Sequence, residues 1–88
     1  MITLFVSNKC PDCPPAVKAL QSCGLAYRIV DITNSMAEMK EFFKYRDVHP
    51  FFEDIKARGK VGVPCLMKGD GETFYLYAPD FDLKTLEA

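Results

Sequence analysis

A chain of 88 residues, 49% apolar and 26% charged, with a formal net charge of −1, fits one folded domain rather than a disordered segment. Acids and bases are mixed along it with no basic stripe, and no apolar run approaches the roughly 20 residues that cross a bilayer, so neither nucleic acid nor membrane is an expected partner. The opening MITLFVSN lacks the basic start and small-residue cleavage site of a signal peptide, so the expected home is the cytoplasm, where four cysteines are poor candidates for permanent staples.

Ile2–Val6 (ITLFV) is too short for a helix and rich in β-formers, which predicts a strand buried on both faces. The segment Cys10-Pro11-Asp12-Cys13-Pro14-Pro15 comes next. A helix begun at Cys10 would carry Pro14 and Pro15 in its second turn, where each loses a hydrogen bond and meets the carbonyl four residues back. With Cys13 as N-cap, Pro14 takes the first helical position, where its missing N–H costs nothing. Ala16, Val17, Leu20 and Cys23 then recur at helical spacing as far as Gly24, which is placed to end the helix in a left-handed conformation.

Tyr27–Ile32 predicts a second strand. Ser35 and Glu38 form a capping-box pattern at the start of a helix whose apolar face is Met36, Met39, Phe42 and Phe43. After a break at Asp47–Pro50, a shorter helix is predicted from Pro50 to Arg58, with Phe51, Phe52 and Ile55 inward and Gly59 at its end. Cys65–Lys68 and Thr73–Tyr77 read as a hairpin turning at Gly69-Asp70-Gly71, and a last short helix starts near Asp80 and runs through Leu83 and Leu86. The order is β-α-β-α-(α)-β-β-α. Its front implies a parallel pair with a right-handed crossover, and its hairpin adds an antiparallel edge.

Two places in this order carry chemistry. A C-x-x-C spacing alone is weak, but Cys10 and Cys13 fall between a buried strand and a helix in a βαβ unit, the setting of a redox pair. Cys10, just ahead of the helix, gains from the unpaired N–H groups and helix dipole that favour a thiolate, and thiolate is what attacks a disulfide. Lys9 favours the same anion, while Asp12 opposes it. Cys13, three positions on, is placed to resolve the mixed disulfide. The second place is Val61-Gly62-Val63-Pro64, where a proline opens an inner strand. A cis bond before Pro64 suits that position and would leave the Val63 backbone free to pair with an extended substrate; the alternative is a trans proline that simply starts the strand, the commoner form of any X–Pro bond.

Other residues have plainer readings. Cys65, next to Pro64 on a strand, is expected to point into the core, as is Cys23 on the first helix; His49 reads as a loop or cap residue. Zinc takes four ligands, commonly as two close pairs, and Cys23, Cys65 and His49 form no second pair, so no metal site is expected. Phe42, Phe43, Phe51 and Phe52 are mostly core, with one or two of them, beside Tyr45 and Arg46, expected to line a groove near the cysteines.

Together, Cys10-Pro11-Asp12-Cys13, Val63-Pro64 and the element order resemble the glutaredoxin family over nearly the whole chain. The resemblance implies a thioredoxin-like fold with a mixed four-stranded sheet flanked by helices, Cys10 as nucleophile, Cys13 as resolving thiol and Pro64 beside them. It implies thiol–disulfide exchange with a protein or small-thiol disulfide, and glutathione or a thioredoxin-reductase-type reductant. No tightly bound cofactor is implied, and a monomer is expected. Lys9, Pro11, Asp12, Val63 and Pro64 are the expected thiol-binding residues, joined by Asp80 and Asp82 at the last helix. Three departures stand out: no Gly-Gly follows the last strand, which instead leads into Tyr77-Ala78-Pro79-Asp80; the lysine is adjacent to the nucleophile; and Tyr45–Lys60 holds extra residues. The alternatives are a metal or iron–sulfur module on the same cysteines, a redox-sensing interaction module that does not turn over, and, as a minor one, an arsenate-reductase relative, whose larger insertion this length does not supply.

Overall fold

The computed structural model describes residues 1–87. Four strands, β1 (Ile2–Val6), β2 (Tyr27–Asp31), β3 (Cys65–Lys68) and β4 (Thr73–Leu76), form one mixed sheet in the order β2-β1-β3-β4. β1 runs parallel to β2, with Leu4 opposite Ile29, and antiparallel to β3, with Phe5 opposite Cys65; β4 closes the antiparallel hairpin on β3. All five residues of β1 are buried, as its apolar run predicts for an inner strand.

Alternation along the strands divides the core between two faces of the sheet. On one, Ile2, Leu4, Val6 and Leu66 pack against Ala16 and Leu20 of α1 (Cys13–Gln21). On the other, Phe5, Cys65, Met67 and Phe74 meet Phe42 of α2 (Met36–Arg46) and Ile55 of α3 (Glu53–Ala57). The aromatic side is tightly built: Phe5 and Phe42 lie 4.9 Å apart between ring centroids, and Phe52 sits edge-on to both Phe42 and Phe74.

Local signals hold with small shifts. The Ser35 hydroxyl accepts the Glu38 N–H at 3.2 Å and donates to the Glu38 carboxylate at 3.0 Å, so the capping box forms. The α1 cap is Asp12 rather than Cys13, with no side-chain cap hydrogen bond. Pro14 and Pro15 still fall within the first turn, where N–H groups have no intrahelical partner, so both are tolerated. α1 ends at Gln21, and Gly24 takes the left-handed conformation (φ 78°) only after the chain has left the helix.

Two corrections concern the later helices. The helix predicted from Pro50 to Arg58 is a 3₁₀ turn, Pro50–Phe52, followed by α3. His49 caps that turn by accepting the Phe51 N–H on Nδ1 at 3.1 Å. The last helix does not start near Asp80: Ala78–Phe81 form a turn closed by the Phe81 N–H on the Ala78 carbonyl, and a 3₁₀ helix spans Leu83–Glu87. Asp82 sets its start, accepting the Lys84 N–H on its carboxylate at 3.0 Å and the Thr85 N–H on its carbonyl at 3.0 Å.

Candidate functional site

Cys10 lies on the turn that joins β1 to α1. Its N–H donates to the Ser7 carbonyl at 3.1 Å, and its carbonyl accepts the Cys13 N–H at 3.3 Å, so the turn is fixed from both sides. The two sulfurs differ in surroundings. Cys10 is partly exposed and both are free thiols, whereas Cys13 is 2% exposed and packs under α1 with Ala16 and Val6.

Burial pushes the Cys13 pKa up to about 12, and its hydrogen bond to the Cys10 sulfur pushes the same way. The Ser7 N–H, donating to the Cys13 sulfur at 3.5 Å, works against them, and the charges of Cys10 and Asp12 add lesser upward pushes. Cys13 is therefore a protonated donor beside the Cys10 sulfur at neutral pH. Asp12, exposed at the cap of α1, makes itself felt on Cys13. Lys9 and Pro11 are exposed on the same turn.

Val63–Pro64 is a cis peptide bond. Among the described residues, the Val63 N–H and C=O make no hydrogen bond within the chain. Val63 and Val61 line a small cavity of about 210 Å³ with Ser7, Lys9, Cys10 and Ile32. The same two valines continue into a larger groove of about 540 Å³ that includes Asp12, Pro64 and Ala78. The groove reaches Pro79; Asp80 and Asp82 are not among its lining residues, and Asp82 is occupied with the 3₁₀ helix.

Three features escaped the sequence reading. First, Ser7 anchors the cysteine turn. It is buried, and its hydroxyl accepts the Lys9 N–H at 3.1 Å and lies 3.0 Å from the Thr33 hydroxyl. Thr33 in turn donates to Asp31 at 2.7 Å, so Ser7 is the donor to Thr33; hydrogen bonds from the Thr33 hydroxyl, the Thr33 N–H and Asn8 hold the Asp31 carboxyl below its ordinary pKa. The position of Ser7 at the carboxyl end of a parallel strand, where ligand sites gather, was the available signal.

Second, Arg46 does not line the cysteine groove. Its guanidinium donates to the Lys60 carbonyl at 2.6 Å and the Val61 carbonyl at 2.9 Å, bracing the loop before Val63. Nor do the phenylalanines line it: Phe42 and Phe52 are fully buried, and Phe43, Phe51 and Tyr45 pack against the aromatic core. Third, the groove wall at the end of β4 and just beyond it, from Leu76 to Pro79, had no sequence signal beyond its turn residues.

Cys65 is fully buried among Phe5, Phe42 and Phe74, with burial raising its pKa, and Cys23 packs partly against the α1 side of the core while its sulfur accepts the Leu25 N–H at 3.5 Å. Both lie where packing was expected. Among the described residues, no three His, Cys, Asp or Glu side chains gather as metal ligands, and no helix is long and apolar enough to cross a membrane.

The family model described as Glutaredoxin matches residues 2–72. A protein of Haemophilus influenzae, carried there as an uncharacterized protein, is 36% identical over 69 residues, covering 78% of this chain and 80% of its own length. No solved structure gives a significant match.

Proposed function

The chain belongs to the glutaredoxin family, and on that premise we propose that it is a thiol–disulfide oxidoreductase working by a dithiol mechanism. The observation that carries this reading is the asymmetry of the pair: Cys10 is partly exposed, while Cys13 is buried, held protonated and hydrogen-bonded to the Cys10 sulfur. Exposure gives Cys10 access to a substrate disulfide while Cys13 is withdrawn beneath it, so in this reading Cys10 is the nucleophile and Cys13 the resolving thiol.

The Cys10 thiolate attacks one sulfur of a substrate disulfide, forming a mixed disulfide and expelling the other sulfur as a thiolate. Cys13 then loses its proton to that thiolate or to water and attacks the Cys10 sulfur. The second substrate sulfur leaves, so the substrate gains two electrons and two protons and the protein holds a Cys10–Cys13 disulfide. The unpaired Val63 backbone beside Cys10 is suited to pair with an extended substrate. Two equivalents of glutathione, or a dithiol supplied by a thioredoxin-reductase-type system, restore the dithiol.

A disulfide-reduction assay run with each reductant tests the reading. Cys10→Ser should abolish turnover. Cys13→Ser should stop dithiol turnover, leaving at most a monothiol reaction with glutathione. Full dithiol turnover by Cys13→Ser would contradict the mechanism.

A further inference from the structure

The hydrogen bonds that fix the cysteine turn do not end at Ser7. Pairing between β1 and β2 finishes with the Ile32 N–H on the Val6 carbonyl at 2.8 Å. Beyond that bond, side chains take over. The Ser7 and Thr33 hydroxyls lie 3.0 Å apart, and Thr33 meets the Asp31 carboxylate through its hydroxyl at 2.7 Å and its N–H at 2.9 Å. Asp31 also takes hydrogen bonds from the N–H and the side chain of Asn8. Its own N–H donates to the Glu38 carboxylate at 3.1 Å, which ties the far end of the relay to the capping box of α2.

The carboxylate gives this relay a single polarity. It can only accept, so Thr33 must donate to it. Each hydroxyl has one proton, so Ser7 must donate to Thr33 and is left to accept the Lys9 N–H at 3.1 Å. The residue held in this way touches both cysteines: the Ser7 N–H donates to the Cys13 sulfur at 3.5 Å, and the Ser7 carbonyl accepts the Cys10 N–H at 3.1 Å.

We infer that Thr33 and Asp31 are positioning residues for the resolving step, holding Ser7, and through it Cys13, at the spacing from Cys10 that ring closure needs. The inference rests on the dithiol reading above. The two steps of that mechanism make different demands on geometry. Attack by Cys10 is bimolecular and takes place at a partly exposed sulfur, where the incoming disulfide sets its own approach. Release is intramolecular: the Cys13 sulfur displaces the substrate thiolate from the Cys10 sulfur and the Cys10–Cys13 bond forms. Its rate depends on how the two sulfurs are held. Slackening Ser7 therefore slows the second step and spares the first. Neither Thr33 nor Asp31 lines the Cys10 cavity or the groove, so their effect is exerted through Ser7 and not on the substrate.

A fluorescent peptide carrying its cysteine as the 2-thiopyridyl disulfide separates the two steps in one turnover of pre-reduced protein. The probe is itself the oxidant. Attack frees pyridine-2-thione, read by absorbance, and departure of the peptide thiol is read by falling anisotropy. At pH 6 the activated probe still reacts while release waits on the protonated Cys13, so attack is complete first. Thr33→Val removes the hydroxyl but keeps the shape of the side chain and the charge of Asp31. Release should slow at least about threefold, with attack within about twofold of the native rate. Thr33→Ser, which restores the hydroxyl, should release as the native chain does. Asp31→Ala should also slow release, and adding Thr33→Val to it should cost little more, because both act through Ser7. Native release in Thr33→Val, equal slowing of attack and release, or a Thr33→Ser protein as slow as Thr33→Val overturns the inference while leaving the oxidoreductase reading in place. Pyridine-2-thione formed by the native chain with no peptide released overturns the dithiol reading and the inference with it.

Discussion

Once Cys10 enters a mixed disulfide its sulfur carries no charge and accepts hydrogen bonds weakly, so two of the influences that keep Cys13 protonated fall away. Burial and Asp12 remain; the Ser7 N–H, still aimed at the Cys13 sulfur, now faces less opposition. Substrate attachment thus activates the thiol that must release it. Because the thiolate is the reacting form, release should speed up as pH rises, by about tenfold per unit until Cys13 is ionised. Stopped-flow release from a preformed mixed disulfide checks this, and a flat profile would mean that Cys13 is already ionised at that stage. Asp12→Asn should shift the profile to lower pH by removing a carboxylate that disfavours the Cys13 anion. Ser7 belongs to the same scale. Ser7→Ala removes the hydroxyl that joins Lys9 and Thr33, and should cost about 1–2 kcal/mol in a urea melt.

The elements around the site were legible to different degrees, and the reasons are physical. Strand β1, the start of α1 and the capping box of α2 are written in local chemistry: an apolar run, two prolines allowed only in a first turn, a serine three residues ahead of a glutamate. The Val63–Pro64 geometry was readable because a proline at the head of an inner strand needs a reason. The clamp by Arg46 was not, since it joins residues 14 and 15 positions away in sequence and no local pattern encodes that reach. The end of the chain misled because Asp80 and Asp82 are equally good caps on paper, and only the turn at Ala78–Phe81 decides between them. Gly62 shows the same dependence on tertiary structure: at φ 106°, an added Cβ would lie 3.4 Å from Phe52 and Ile55. Gly62→Ala should destabilise the chain by about 1–3 kcal/mol, chiefly from the backbone conformation, as read by a thermal or urea melt.

For the molecule as a whole, the mixed sheet brings the β1–α1 turn and the loop before β3 to one end, where Cys10 and Val63 line one cavity. The parallel front pair and the antiparallel hairpin followed from sequence through the βαβ unit and the closing turn, whereas the antiparallel pairing of β1 with β3 that joins them did not. The split of function between two faces did not: the α1 side buries Cys13, and the aromatic side buries Cys65. A buried thiol with a raised pKa keeps its proton in the native state where the unfolded chain has already lost it. Global stability of the reduced protein should therefore hold below about pH 9.0 and fall as pH rises toward 12. Cys13→Ala should flatten that decline in denaturation midpoints measured between pH 8 and 10.5, with Cys65→Ala removing a further share.

The central claim is the division of roles between Cys10 and Cys13, and mapping of trapped adducts by mass spectrometry tests it most directly. When Cys13→Ser protein meets a peptide disulfide, the account predicts a single stable adduct on Cys10, with no matching adduct on Cys13 in Cys10→Ser protein. An adduct formed as readily on Cys13 as on Cys10 would contradict it.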